Sequence, residues 1–138
     1  VETIPDIEDY VVTLLQKAID LRNTISGRRY SDIILTAQKL IREEYMSEEI
    51  SLNVVAARVC MSPSYFSTIF SKETGKTFIE YLTEVRMEKA KEYLVCTNRK
   101  TSDIAFEIGY KDPHYFSFLF KKTQGCTPKE YRTSRKEW

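Results

Sequence analysis

One pattern occurs twice in this chain, and it limits the possible folds more than any other feature. SPSYFSTIFSKETGKTFIEY, from Ser62 to Tyr81, returns fifty residues later as DPHYFSFLFKKTQGCTPKEY, from Asp112 to Tyr131. Both copies read Pro-x-Tyr-Phe-Ser-x-x-Phe-x-Lys-x-x-Gly-x-Thr-x-x-Glu-Tyr, starting at Pro63 and Pro113; repetition over such a length marks one structural unit used twice. Each copy opens with a polar cap, Ser62 or Asp112, followed by proline at the first helical position, where a missing N–H costs nothing. Each helix stops at a glycine, Gly75 or Gly125. Phe66, Ile69 and Phe70 fall at i, i+3 and i+4, as do Phe116, Leu119 and Phe120, so these sides face a core. Phe118 apart, the other Tyr and Phe residues of the repeats are expected there too.

The opposite stripe is open: Ser64, Ser67, Thr68 and Ser71 in the first copy, His114, Ser117, Phe118 and Lys121 in the second. Short hydroxyls, one imidazole and one ring stand where a solvated helix would carry Glu and Lys. Just upstream of each copy lies a short helix-compatible segment, 52–59 (LNVVAARV) and 102–108 (SDIAFEI), joined to it by the turns Cys60-Met61 and Gly109-Tyr110-Lys111. Helix, brief turn, then a second helix capped at its start is the helix-turn-helix arrangement, whose second helix enters the major groove of DNA.

Between the copies, Thr77 caps a long helix from Phe78 to about Cys96, with Phe78, Tyr81, Leu82, Val85, Ala90, Tyr93 and Leu94 facing inward. At ~1.5 Å per residue this rod is roughly 28 Å long. It is expected to hold the two open stripes near one turn of B-DNA apart, ~34 Å, on one side of a duplex. Arg86, inside it, is expected to pair with an acidic side chain. Upstream, a helix from Ser31, as cap, to about Tyr45 carries Ile33, Ile34, Ala37, Leu40 and Ile41 on one side and buttresses the first unit. Downstream, Thr127 and Pro128 start a closing helix through about Arg135. Ser51 and Ser102 are read as further caps.

Residues 1–49 carry six Lys and Arg against ten Asp and Glu, and residues 50–138 carry fifteen against ten. The near-neutral total of +1 therefore joins a net of −4 to a net of +5, which suits a binder of polyanions without proving it. Residues 5–25 place Ile7, Val11, Leu14, Ala18, Leu21 and Ile25 at alternating four- and three-residue steps, the seam of a coiled coil or of an amphipathic helix docked on its own domain. Cys60, Cys96 and Cys126 lack metal-ligand spacing and are expected as reduced, buried packing residues in a cytoplasmic protein. His114, the sole histidine, has no partner set for a metal or a catalytic triad. No metal, cofactor or enzyme activity is expected. No apolar run approaches the ~18 residues of a membrane span, and no leader pattern opens the chain. A start at Val1 marks a fragment of something longer or a processed terminus.

SLNVVAARVCMSPSYFSTIFSKETGKTFIEYLTEVRMEKAKEYL, followed by SDIAFEIGYKDPHYFSFLFKKTQGCTPKEYR, resembles the DNA-binding domain of AraC/XylS-type transcription regulators over about residues 31–135. The resemblance implies an all-α fold of about seven helices: two helix-turn-helix units, about 31–76 and 97–135, joined by a linking helix over 78–96. An N-terminal amphipathic segment over 1–30 precedes them, and 31–138 form the DNA-binding domain. With that segment, the chain is also similar to the C-terminal part of YesN-like response regulators of two-component systems. Carried over position by position, the likeness puts base contacts at Ser64, Ser67, Thr68, His114, Ser117 and Phe118. Many relatives carry Arg or Lys where Phe118 stands, and a phenyl ring meets only a thymine methyl or a sugar edge. Phosphate contacts are expected at Lys72, Thr77, Lys121, Lys122 and Thr127, from last-turn cations and helix N-termini. The expected function is sequence-specific transcription regulation, as activator or repressor, on double-stranded DNA. RNA polymerase and a second copy, through residues 7–25, are candidate partners. The competing reading is a protein-interaction module built on that seam.

Overall fold

The computed structural model describes residues 30–135, so the seam from Ile7 to Ile25 and the terminal Trp138 lie outside the described residues. Within them the architecture is all-α, with no strand. Helix α1 covers 30–44, α2 Leu52–Arg58, α3 Pro63–Thr74, α4 Phe78–Cys96, α5 Thr101–Glu107, α6 Pro113–Gln124 and α7 Pro128–Arg135. Helices α2 and α3 pack as one pair and α5 and α6 as another, while α4 touches α3, α5 and α7.

The helix-turn-helix geometry follows from local rules. Ser51, Ser62, Thr77 and Asp112 sit in extended conformation and accept from backbone amides of the first turn they precede. Gly75 and Gly125 end α3 and α6 in the left-handed region, with φ 75° and 85°. Both inter-helix turns also pass through positive φ, at Cys60 (60°) and Gly109 (108°). In each, two amides fold back: Cys60 and Met61 donate to the carbonyls of Ala57 and Ala56, and Gly109 and Tyr110 to those of Phe106 and Ala105. The second turn then spends one extra residue, Lys111, before its cap.

One cluster of buried side chains runs through both units. Its aromatic skeleton is repeated: Phe66 against Phe70 and Phe70 against Tyr81, at 5.5 Å each, match Phe116 against Phe120 at 5.9 Å and Phe120 against Tyr131 at 5.7 Å. Helix α4 buries Met87 and Arg86 besides the expected Phe78, Tyr81, Leu82, Val85, Ala90 and Leu94, because it is packed on more than one side. Among the described residues the Arg86 guanidinium meets no carboxylate, contrary to expectation. Its Nε donates to the Tyr45 carbonyl at 2.9 Å and its Nη2 to the Ser47 carbonyl at 3.0 Å, and the group lies 4.8 Å from the Tyr110 ring centre. It thereby satisfies carbonyls where α1 ends, which have no helical partner. Arg132 does the same for α4, reaching the Leu94 carbonyl at 2.9 Å.

Other expectations need correcting. Ser31 lies inside α1, since the helix already includes Tyr30, whose ring packs edge-on against Tyr65 at 5.9 Å and rewards the extra residue. Ser102 lies inside α5, whose cap position is Lys100 and makes no side-chain bond. The thiols are free, but Cys60 and Cys96 are exposed and Cys126 is half-buried, as they fall in a turn, a helix end and a loop rather than on core faces. Tyr65 and Tyr115 are 47% and 52% exposed: each sits one residue, or about 100° of helix, before its buried Phe.

A Cβ on Gly109 would lie 2.7 Å from the Tyr45 carbonyl oxygen and 2.8 Å from Arg86 Nη2, whereas one on Gly75 would meet nothing within 4 Å. Gly109→Ala is therefore expected to cost about 3 kcal/mol, through the clash and the backbone strain together, against about 1 kcal/mol for Gly75→Ala, by urea denaturation. Burial raises the Tyr110 phenol above its ordinary 10.0, with the Arg86 charge opposing. The folded state thus holds that proton more tightly, so its stabilising effect is complete below the ordinary value and declines as pH rises through the folded one. Stability should fall above about pH 10 more steeply in the wild type than in Tyr110→Phe, measured by denaturation across an alkaline pH series.

Candidate nucleic-acid interface

The two second helices present the residues singled out from the repeat. On α3, Ser64 and Thr68 are exposed and Ser67 is half-buried; on α6, His114 and Phe118 are exposed and Ser117 is half-buried. Phe66 and Phe70, like Phe116 and Phe120, anchor the reverse face in the core with no exposure at all, which fixes the rotation of each helix. The stripe is turned outward because its opposite is held inward by large rings.

The local chemistry differs between the helices. Thr68 Oγ1 donates to the Ser64 carbonyl at 3.0 Å, so its single proton is committed within α3. Phe118 is 61% exposed, and no aromatic pair among the described residues includes it. The His114 amide is held by Asp112 Oδ1 at 2.9 Å, which seats the imidazole on the first turn of α6. Lys72 stands exposed in the last turn of α3, and Lys121 and Lys122 in that of α6, where they complement the helix dipoles. Thr77 Oγ1 accepts from the Glu80 amide and Thr127 Oγ1 from the Glu130 amide, both at 3.1 Å. Each of these caps follows α3 or α6 by a short loop.

The expected site residues thus fall on two separate helix faces with their following loops, five or six from each unit. Tyr65 and Tyr115 join them: each exposed ring stands in the first turn of its helix, Tyr65 against Tyr30 and Tyr115 against Tyr110 at 6.0 Å, and the Tyr30 and Tyr65 hydroxyls meet. Their identity in both copies drew them into the core by analogy with the phenylalanines; their helical phase was the signal that they are not. Among the described residues no three His, Cys, Asp or Glu side chains are grouped to hold a metal ion, and no helix is long and apolar enough to cross a membrane.

Two capped helices with outward polar faces, each carried by a helix-turn-helix, define a tandem helix-turn-helix protein. The helix-turn-helix domain family matches residues 55–134, and the chain belongs to the AraC-type family of these DNA-binding domains. It is 40% identical over 105 residues, 74% of this chain, to the transcriptional regulatory protein YesN of Bacillus subtilis. The C-terminal domain of AraT, a response regulator of Geobacillus stearothermophilus, is 39% identical with a TM-score of 0.73, over 75% of this chain and 85% of that one. The fold is shared at 22% identity and a TM-score of 0.70 with the DNA-binding domain of AdpA, solved with a target DNA, over 73% and 90% of the two chains. The chain spans 28% of the length of YesN and 18% and 44% of two other curated relatives.

Asp112→Ala removes the acceptor that closes the first turn of α6. A loss of about 1 kcal/mol in urea denaturation is expected, most of it recovered in Asp112→Asn, which keeps a capping oxygen.

Proposed function

We propose that this chain is the DNA-binding part of a sequence-specific transcription regulator in which α3 and α6 enter two consecutive major-groove segments on one side of a duplex. The carrying observation is the doubled stripe: the same buried anchors turn Ser64, Ser67 and Thr68 outward on α3 and His114, Ser117 and Phe118 on α6. The 19-residue α4 supports a separation close to one helical repeat of DNA, since it measures about 28 Å at 1.5 Å per residue. Base edges are read from the stripes, while Lys72, Lys121 and Lys122, with the amides and hydroxyls at Thr77 and Thr127, hold phosphates. The domain division falls near residue 30, with residues 31–138 as the reading domain. It works without a cofactor and catalyses nothing; its place is the cytoplasm, where the chromosome and RNA polymerase, a partner for activation, are found.

The likeness to response regulators supports a parent protein whose receiver passes on a phosphorylation signal. The apolar seam from Ile7 to Ile25 supports pairing of two copies on one promoter. Light scattering separates that role from DNA reading: a chain lacking residues 1–30 should lose concentration-dependent dimerisation and keep its duplex preference.

Selection from random duplexes tests the main reading. A preferred site spanning two adjacent major-groove segments is expected, with affinity that falls steeply as salt rises; recovery of no preferred site would end the proposal. His114→Ala should relax preference in one half of that site by about 1–3 kcal/mol of discrimination, whereas Lys122→Ala should weaken every sequence alike and lower the salt slope by about one.

A further inference from the structure

Position 68 on α3 and position 118 on α6 are equivalent in the repeat, and neither offers a hydrogen-bond donor to a base. Thr68 has given its only proton to the Ser64 carbonyl; Phe118 never had one. Both side chains are nevertheless exposed. Each stands in the middle of its reading stripe, four residues after Ser64 or His114 and four before Lys72 or Lys122. The lysines end the helices, where the phosphate walls of a groove would be met, which leaves positions 68 and 118 to its floor.

On that floor the chemistry allows one apolar target. Of the four bases only thymine carries a methyl group, at C5, on its major-groove edge. Covering a polar base edge with a phenyl ring strips its water and returns nothing, a loss of tenfold or more in affinity. Covering a thymine methyl removes apolar surface from water on both sides and gains about fourfold for each methyl buried. A threonine whose hydroxyl is turned to its own helix has its methyl for the same purpose, on a shorter stem.

We infer that Thr68 and Phe118 are thymine-methyl readers, so that the target carries a thymine at the same register in both halves, one helical turn apart. This rests on the two-groove reading above and adds the base that one position of each helix selects. The rest of each stripe can differ, hydroxyls on α3 and an imidazole on α6, while this one letter is shared.

Replacing thymine by deoxyuridine deletes the methyl and leaves every hydrogen-bonding group, so it tests the inference in isolation. With the 138-residue chain and its selected duplex, single deoxyuridine substitutions should weaken binding about three- to fivefold at two thymines 10–11 base pairs apart and little elsewhere. Phe118→Ala should abolish the sensitivity at one of them and Thr68→Ser, which keeps the hydroxyl, at the other; both residues are exposed, so circular dichroism should show unchanged folding. A selected duplex bound with full preference but indifferent to deoxyuridine, or a sensitivity that survives both substitutions, overturns the inference and leaves the two-groove reading standing. Absence of any preferred duplex overturns both.

Discussion

A single buried guanidinium holds this domain's parts in register. Arg86 leaves the middle of α4, donates to two carbonyls just past the end of α1, and sits over the Tyr110 ring in the second helix-turn-helix turn. Burying a charge is costly unless it is hydrogen-bonded. Carbonyl oxygens do this without the second desolvation that a buried carboxylate would add, and hydrogen bonds from a charged donor are worth about 1.5–3 kcal/mol each. The same crowding explains Gly109: the guanidinium and the Tyr45 carbonyl occupy the space where a side chain would begin. The α1–α2 loop, the linking helix and the second turn are therefore one mechanical junction. The relative placement of the two units depends on it.

Around that junction the chain uses one scaffold twice and varies its outer face. The paired phenylalanines of α3 and α6 and the tyrosines that follow them, Tyr81 and Tyr131, form the same aromatic stack in both units. This leaves the exposed stripes open to diverge without cost to stability. On α3 the stripe is made of small hydroxyl side chains; on α6 it carries an imidazole, an uncovered ring and two terminal lysines. A stable repeated core with unlike surfaces fits the proposed reading of two different half-sites.

Much of this was legible because it depends on nearest neighbours along the chain. The caps at Ser51, Ser62, Thr77 and Asp112, the prolines after two of them, and the stops at Gly75 and Gly125 follow from backbone groups that must be satisfied within one turn. So does the outward phase of Ser64, Thr68, His114 and Phe118, once the phenylalanines opposite are taken as core. The misreadings arose where a distant partner decides. Ser31 and Ser102 look like caps until Tyr30 and Thr101 extend the helices past them. Tyr65 and Tyr115 look like core until their helical phase turns them outward, beside the half-buried Tyr30 and the buried Tyr110. The chemistry of the cysteines favours burial, but Cys60 and Cys96 are exposed in a turn and at a helix end, and Cys126 alone packs, half-buried, against the core.

The repeat, read by itself, determined where α3 and α6 begin and end and which side of each is greasy, because those outcomes are set by hydrogen bonds and side-chain spacing within a few residues. Only the tertiary structure decided what Arg86 and Arg132 bind, why a side chain at Gly109 would clash, and that Thr68 Oγ1 bonds the Ser64 carbonyl while Phe118 stands uncovered. Those outcomes depend on atoms some forty residues apart in sequence that meet across packed helices, or on a choice among rotamers, and no periodicity encodes them.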